Sequence, residues 1–288
     1  MEQKTKGNNP PNRKTLELIN KTCRDCGNGF EVRVIKALGV ILPSPDICPD
    51  CIKKRETKKE AEGKRIFEEY KKARIRRWRL DSGIPPKFQN ERFETFKPKN
   101  DNQKRKLALC KNYAEEFPIN GRSYKSLALF SSKVWGHGKS HLVASIGHRV
   151  IDRWWWDKNE SPVYYISEPD LFIRIRASFN RRNDYGRYET EQDIYNQLKT
   201  VPLLIIDDVG KEEVSDPRFV QRVWFSIVNG RYDNLKPIVI TANLTPDELA
   251  SYLGGNRNNE ASFDRLWEML GGKFDEVIGD SHRREELK

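Results

Sequence analysis

The chain is constrained most by a short apolar run, Leu127-Ala128-Leu129-Phe130, that leads into Gly136-His137-Gly138-Lys139-Ser140-His141-Leu142. An apolar run bounded by turn formers reads as a strand buried on both faces, and the apolar spacing after Lys139 reads as a helix start. A strand that enters a helix through a glycine-bearing loop points successive backbone N–H groups, and the positive end of the helix, at one place. That is the geometry of a Walker A phosphate cradle, with Gly136 and Gly138 in the loop. In it Lys139 is expected to bridge the β- and γ-phosphates of ATP, and Ser140 to hold Mg²⁺. The full pattern has glycine six residues before the lysine, where this chain has Lys133. That departure favours nucleotide binding over fast hydrolysis.

A second motif supplies the context that the first requires. About 65 residues later Leu203-Leu204-Ile205-Ile206 ends in Asp207-Asp208, an apolar run finished by two carboxylates. Adjacent aspartates can simply cap a strand, but after a strand, loop and helix they read as a Walker B. Asp207 is then expected to hold Mg²⁺, directly or through water, and Asp208 to orient the attacking water. Candidate strands are Ser126 to Phe130, Val163 to Ile166, Leu203 to Ile206, Pro237 to Thr241 and Phe274 to Ile278, alternating with helical patterns. Such alternation predicts an α/β fold with a central parallel sheet.

Ahead of this domain the chain differs in composition. Cys23-x-x-Cys26 and Cys48-x-x-Cys51 stand 21 residues apart, spacing that lets two tight turns aim four thiolates at one tetrahedral Zn²⁺. Phe30 to Val34 alternates apolar and polar, as a half-buried ribbon strand does. Four thiolates leave no open coordination position, so the role is structural; redox-active or merely buried cysteines are the other reading. Cys110, alone in a helical stretch, reads as core. The first 80 residues carry +10 of the net +11, which points to an acidic partner, nucleic acid or protein, or to a solvated, salt-bridged helix. Ile52 to Leu80 has the spacing of a basic amphipathic helix, with Ile66, Phe67 and Tyr70 on its apolar side. Gly83-Ile84-Pro85-Pro86 stops it. The expected domains are a zinc ribbon at 1–51, a basic helical linker at 52–82 and an ATPase domain at 83–288. Neither a secretory signal nor a bilayer-length apolar stretch is evident, so the protein is expected to be cytoplasmic with no membrane partner.

From about Asp81 to Lys288 the chain resembles the DnaC/DnaI-type replicative helicase loaders of the AAA+ superfamily, with the IstB-type transposition ATPases close behind. The resemblance rests on Gly83-Ile84-Pro85-Pro86-Lys87-Phe88, Phe93-Glu94-Thr95-Phe96, Gly138-Lys139-Ser140-His141-Leu142, Leu204-Ile205-Ile206-Asp207-Asp208-Val209-Gly210, Asn229-Gly230-Arg231-Tyr232 and Lys236-Pro237-Ile238-Val239-Ile240-Thr241-Ala242-Asn243-Leu244. It implies an AAA+ P-loop ATPase with a short lid, weak until assembled. Asn243 would be the sensor that reads the γ-phosphate, and Arg265 a finger completing a neighbouring subunit's site in an ATP-dependent oligomer. Arg283 would be a second sensor, with Arg284 competing for that role. An inserted helix in the family tracks single-stranded DNA, and Arg174, Arg176, Arg181 and Arg182, with Phe179 and Tyr185, suit phosphate contact and base stacking there; a solvated helix face is the alternative. The implied function is delivery of a replicative hexameric helicase onto single-stranded DNA. An IstB-like helper acting on duplex DNA, and a non-hydrolysing nucleic-acid-binding protein, are the alternatives. Trp154-Trp155-Trp156 fits packing or a partner contact.

Overall fold

The computed structural model describes residues 15–37, 40–42, 44–118, 125–131, 136–154, 159–179, 189–211, 216–254 and 260–279. The chain divides into two compact units, residues 1–70 and 71–288. In the first, β1 (Thr15–Thr22) and β2 (Gly29–Ala37) pair antiparallel, and β3 (Val40–Ile41) adds to β2. The expected ribbon strand Phe30 to Val34 lies inside β2. Ile19 is paired with Val32 and Glu17 with Val34, which is buried, so the alternation gives the hairpin one inward face. The turn joining the strands needs a left-handed residue, and Gly27 supplies it with φ 75°.

Helix α1 (Pro49–Asp81) runs 33 residues and crosses the division between the units. It starts slightly before the expected Ile52 because the Cys48 carbonyl already accepts Ile52 N–H at 3.0 Å, and Pro49, lacking a donor, suits the first helical position. Ile66, Phe67 and Tyr70 have helical spacing but are exposed, so no apolar stripe is buried along this stretch. Strong helix formers and pairs such as Arg65–Glu62 sustain it instead. Trp78, near its end, is fully buried in the core of the second unit.

The second unit continues through the 3₁₀ turn Pro86–Phe88 to α2 (Asp101–Glu116), β4 (Leu127–Phe130), α3 (Lys139–Arg153), β5 (Val163–Ser167), α4 (Glu168–Phe179), α5 (Glu191–Thr200), β6 (Leu203–Val209), α6 (Pro217–Asp233), β7 (Ile238–Ala242), α7 (Pro246–Tyr252), α8 (Glu260–Met269) and β8 (Asp275–Glu276). The five strands pair in parallel in the order β5-β6-β7-β4-β8. Each falls where an apolar run predicted it, but β8 is only two residues long. Its neighbours take other partners: Phe274 stacks on Trp267, and Ile278 N–H donates to the Asn102 side chain at 2.9 Å.

Alternate residues of the strands enter two separate cores. Leu129, Val239 and Ile205 pack with Leu142, Ile146 and Tyr113 on the α2–α3 face, whereas Ala128, Ile240 and Ile206 pack with Phe172, Ile175 and Trp224 on the α4–α8 face. Both faces of the sheet are therefore covered, as a parallel sheet requires. The outer side of edge strand β5 is covered too, because Tyr165 N–H donates to the Ser82 carbonyl at 2.7 Å. Gly83, at φ 73°, lies so close that a Cβ there would stand 2.4 Å from the Tyr165 carbonyl oxygen. The Gly83-Ile84-Pro85-Pro86 segment thus stops a helix and also shields a sheet edge. Cys110 is fully buried, as expected, and Trp154 packs against Phe117 at 6.4 Å; Trp155 and Trp156 lie outside the described residues. No described helix is long and apolar enough to cross a membrane.

Two buried polar residues tie the layers together. Arg231 of α6 is fully buried and donates to the carbonyls of Leu198 (2.5 Å), Val201 (3.0 Å) and Pro237 (2.5 Å), fastening the end of α5 to the entry of β7. Burial works against its charge, and the carbonyls offset that cost. Arg231→Met should destabilise the fold by about 3 kcal/mol, since it strands several buried acceptors at once; urea unfolding measures it. His148 of α3 is also fully buried, and its Nε2 donates to the Phe88 carbonyl at 2.9 Å. Burial holds its pKa down at about 4, so the imidazole is neutral when folded and takes up protons only on unfolding. Stability should be flat above about pH 7 and fall between about pH 6.5 and 4. Glutamine at 148 keeps a donor for Phe88 and should flatten that acid slope in pH-dependent unfolding.

Candidate functional site

The chain leaves β4 for β5 at the far edge of the sheet and returns through β6 and β7, so a crevice opens beyond the carboxyl ends of β4, β6 and β7. A cavity of about 390 Å³ occupies it. Gly136 (φ 93°) and Gly138 (φ 85°) turn the chain into α3. Gly138 is required twice over, because a Cβ there would also meet the Phe96 ring at 2.4 Å. The Phe93–Phe96 landmark thus braces the glycine loop, and His141 packs edge-on against Phe96 with ring centroids 5.2 Å apart.

Four of the predicted groups interlock across the crevice. Lys139 Nζ donates to Asn243 Oδ1 at 2.8 Å and also to Ser131 Oγ. Ser140 Oγ donates to Asp207 Oδ1 at 3.1 Å. Asp207 is buried and accepts two further hydroxyls, Tyr165 OH at 2.5 Å and Thr241 Oγ1. Burial, and then the Asp207 charge, pushes the Tyr165 phenol well above its usual pKa, so it remains a donor. Ser140 and Asp207 together offer hard oxygen ligands of the kind Mg²⁺ takes.

Asp208 is set apart from Asp207 by a bulge. Ile206 pairs with Ile240 and Val209 with Ala242, so Asp207 and Asp208 together oppose Thr241. Asp208 accordingly takes a left-handed conformation, φ 61°, with its N–H donating to Thr241 Oγ1 at 2.9 Å. Its carboxylate faces the cavity and pairs with Lys211 at 2.6 Å. The chemistry available is phosphate binding at Lys139 and the glycine loop, cation binding at Ser140 and Asp207, and water activation at Asp208.

Other predicted residues stand elsewhere. Arg265, on α8, holds its guanidinium over the Tyr232 ring at 5.8 Å and is not among the residues lining the cavity. Arg174 pairs with Glu189 and lies over the Tyr164 ring at 5.3 Å, while Arg176 lies over Phe219 at 4.7 Å. Arg181, Arg182, Arg283, Arg284, Tyr185 and Lys133 lie outside the described residues. Sequence reasoning missed Tyr165, Thr241, Ser131 and Lys211. The first three are ordinary strand or strand-end residues until the sheet order brings them to Asp207 and Lys139; Lys211, three residues past Asp208, could have been suspected.

The cysteines form a separate site within the first unit. Cys23 and Cys26 flank the turn after β1, Cys48 precedes α1 and Cys51 lies in its first turn. Their sulfurs all lie within 4.8 Å of one another, and Cys26 and Cys48 are 3.8 Å apart. A tetrahedron with metal–sulfur bonds of about 2.3 Å has edges of about 3.8 Å, so the residues fit a thiolate-bound ion. Cys48 N–H donates to Cys23 Sγ at 3.2 Å and pulls that thiol down to about 6, whereas hydrogen-bond sharing with Cys48 and Cys26 pushes Cys51 up to about 12. A cation favours deprotonation of all four.

The family model of the bacterial DnaA ATPase domain matches residues 88–255, and the chain belongs to that family. The replicative helicase loader DnaC of Buchnera aphidicola subsp. Acyrthosiphon pisum is 28% identical over 189 residues, covering 66% of this chain and 70% of the relative. The protein of the same name from Escherichia coli K12 is 28% identical over 173 residues, 60% of this chain and 63% of its own. Among solved structures, a crystal structure of the DnaC helicase loader matches with TM-score 0.52 at 23% identity, over 67% of this chain and 100% of its own. That of DnaI matches with TM-score 0.51 at 22% identity, over 67% and 93%. The loader resemblance expected from the sequence is thus met, and the structural matches show a shared fold.

The thiolate site carries its own test. Chelation of the full chain should release one divalent ion and unfold the hairpin of residues 15–42, because binding energy of about 10 kcal/mol exceeds what so small a core supplies. Amide exchange should show loss of protection in that unit alone; a chain that contains no metal as purified would refute the assignment.

Proposed function

We propose that this member of the DnaA ATPase-domain family is an ATP-driven loader that delivers a replicative hexameric helicase onto single-stranded DNA. The observation that carries the ATPase part is the convergence of Lys139, Ser140, Asp207, Asp208 and Asn243 on one crevice. The loader part follows the similarity to proteins named replicative helicase loaders.

On this reading incoming phosphates take Lys139 from Ser131 and Asn243, and the released Asn243 amide is placed to read the γ-phosphate. Mg²⁺, when bound, would neutralise phosphate charge, and Ser140 and Asp207 would hold it. Lys211 pairs with Asp208 Oδ2, so the other carboxylate oxygen could accept from and orient the attacking water. Arg265, which does not line its own chain's cavity, would act on a neighbouring subunit's nucleotide, so turnover waits for assembly. Zn²⁺, a borderline-soft ion that suits four thiolates in a tetrahedron, would be held by Cys23, Cys26, Cys48 and Cys51, and the ribbon it organises would dock on the helicase. Arg174 and Arg176, with Arg181 and Arg182, would meet the DNA backbone, Arg174 exchanging Glu189 for phosphate.

Lys139→Ala should abolish ATP binding, whereas Asp208→Asn should bind ATP normally and lose turnover about 100-fold or more. Filter binding and phosphate release measure the two. Deleting residues 1–70, which spares the buried Trp78, should leave ATP-dependent binding of single strands intact and abolish helicase pull-down. Preference for duplex over single-stranded probes with ATP, together with no helicase retained, would replace the loader with an IstB-like helper.

A further inference from the structure

Glu168 takes no part in the ATP chemistry outlined above, yet its side chain is fully buried. A buried carboxylate is costly unless donors saturate it. Here Oε2 accepts Gly210 N–H at 2.6 Å and Tyr252 OH at 2.9 Å, and Oε1 accepts Trp224 Nε1–H at 2.6 Å. Those donors belong to the exit of β6, to α7 and to α6, while Glu168 itself opens α4 directly from β5. One of them, Gly210 N–H, lies just beyond the bulge that carries Asp208.

We propose that Glu168 is a positioning residue for hydrolysis: by holding Gly210 N–H it fixes the outer end of the β6 bulge and thereby aims the Asp208 carboxylate into the cavity. This rests on the ATPase reading given above. A left-handed non-glycine residue such as Asp208 is strained and persists only when its surroundings enforce it. Thr241 Oγ1 holds the inner end through Asp208 N–H, and Glu168 holds the outer end two residues on. Released at either end, β6 would relax toward regular pairing, and a one-residue slip turns a side chain to the opposite face. Gly210 also meets the segment of the nucleotide sensor, since a Cβ there would stand 2.2 Å from Leu244 Cδ1, next to Asn243. The grip on Gly210 therefore fixes both Asp208 and the residue that follows Asn243.

The carboxylate is needed because donors approach both of its oxygens. A glutamine has one oxygen and one amide donor, so whichever way it turns, a donor confronts Trp224 or the Gly210–Tyr252 pair. Removing the indole N–H should relieve that conflict. The experiment uses the full chain carrying Glu168→Gln, Trp224→Phe and both together, with ATP affinity and kcat measured separately. We expect Glu168→Gln to keep ATP affinity within about threefold while kcat falls about ten- to hundredfold. Trp224→Phe should lower stability but leave kcat within about threefold, since Gly210 stays held, and the double variant should recover most of the lost kcat, because its glutamine oxygen keeps Gly210 and Tyr252. Affinity and melting temperature falling together with no recovery in the double variant would mean that Glu168 is merely structural and would overturn the proposal. Should Glu168→Gln fail to fold, Trp224→Phe with Tyr252→Phe removes the indole and phenol donors and keeps the Gly210 N–H bond to the carboxylate; retained kcat supports the proposal, and a loss as large as that of Asp208→Asn overturns it. Amide exchange over 207–211, which needs no turnover, should accelerate about tenfold or more in Glu168→Gln. A wild-type chain that binds ATP without hydrolysing it would end the ATPase reading, whereas unchanged exchange in Glu168→Gln would end the positioning role of Glu168.

Discussion

The insertion of β7 between β4 and β6 decides where the chemical groups of the crevice stand. Adjacent strands lie about 4.8 Å apart, so β4 and the carboxylates that end β6 stand about 10 Å apart on either side of the end of β7. Thr241 and Asn243 occupy that end. Thr241 divides its hydroxyl between Asp207 and the backbone of Asp208, and Asn243 receives Lys139. With β4 and β6 directly paired, there would be no side chain between lysine and carboxylates, and the bulge would lose its partner.

The same sheet order explains why the polar groups of the crevice bond to one another. Lys139 to Asn243, Ser140 to Asp207 and Lys211 to Asp208 are charged or hydroxyl groups held in a partly desolvated place, where an unmet donor or acceptor is costly. Phosphate and cation would therefore replace internal partners and not water alone. Such an exchange keeps the site ordered before the ligand arrives, and preorganisation of this kind limits the reorganisation cost of binding.

Charge and core are segregated along the chain. The first 80 residues carry nearly all of the net positive charge, and most of α1 in the first unit is exposed. With so little apolar surface buried there, the first unit relies on hairpin pairing and on its four clustered sulfurs. The second unit has two ordinary apolar cores and can afford buried polar clasps such as Arg231 and Glu168, each of which joins three or more elements.

Sequence alone determined the parallel α/β architecture, the phosphate loop and the paired cysteines, because each depends on local periodicity or on fixed spacing between a few residues. Apolar runs call for burial, a lysine–serine pair after a glycine loop reads as a helix start, and two Cys-x-x-Cys pairs at this spacing suit one tetrahedral site. It also singled out Lys139, Ser140, Asp207 and Asp208 through their motifs, and Asn243 through the family resemblance, and these side chains meet in one crevice. The exposed run of α1 escaped it, since helical spacing does not say whether another surface covers the stripe. The bulge at Asp208, the hydroxyls of Tyr165 and Thr241 and the Glu168 clasp were decided only by tertiary structure. Each depends on which strand lies beside which, and that contact between residues tens of positions apart is fixed by the packing of the two cores and by nothing in the neighbouring sequence.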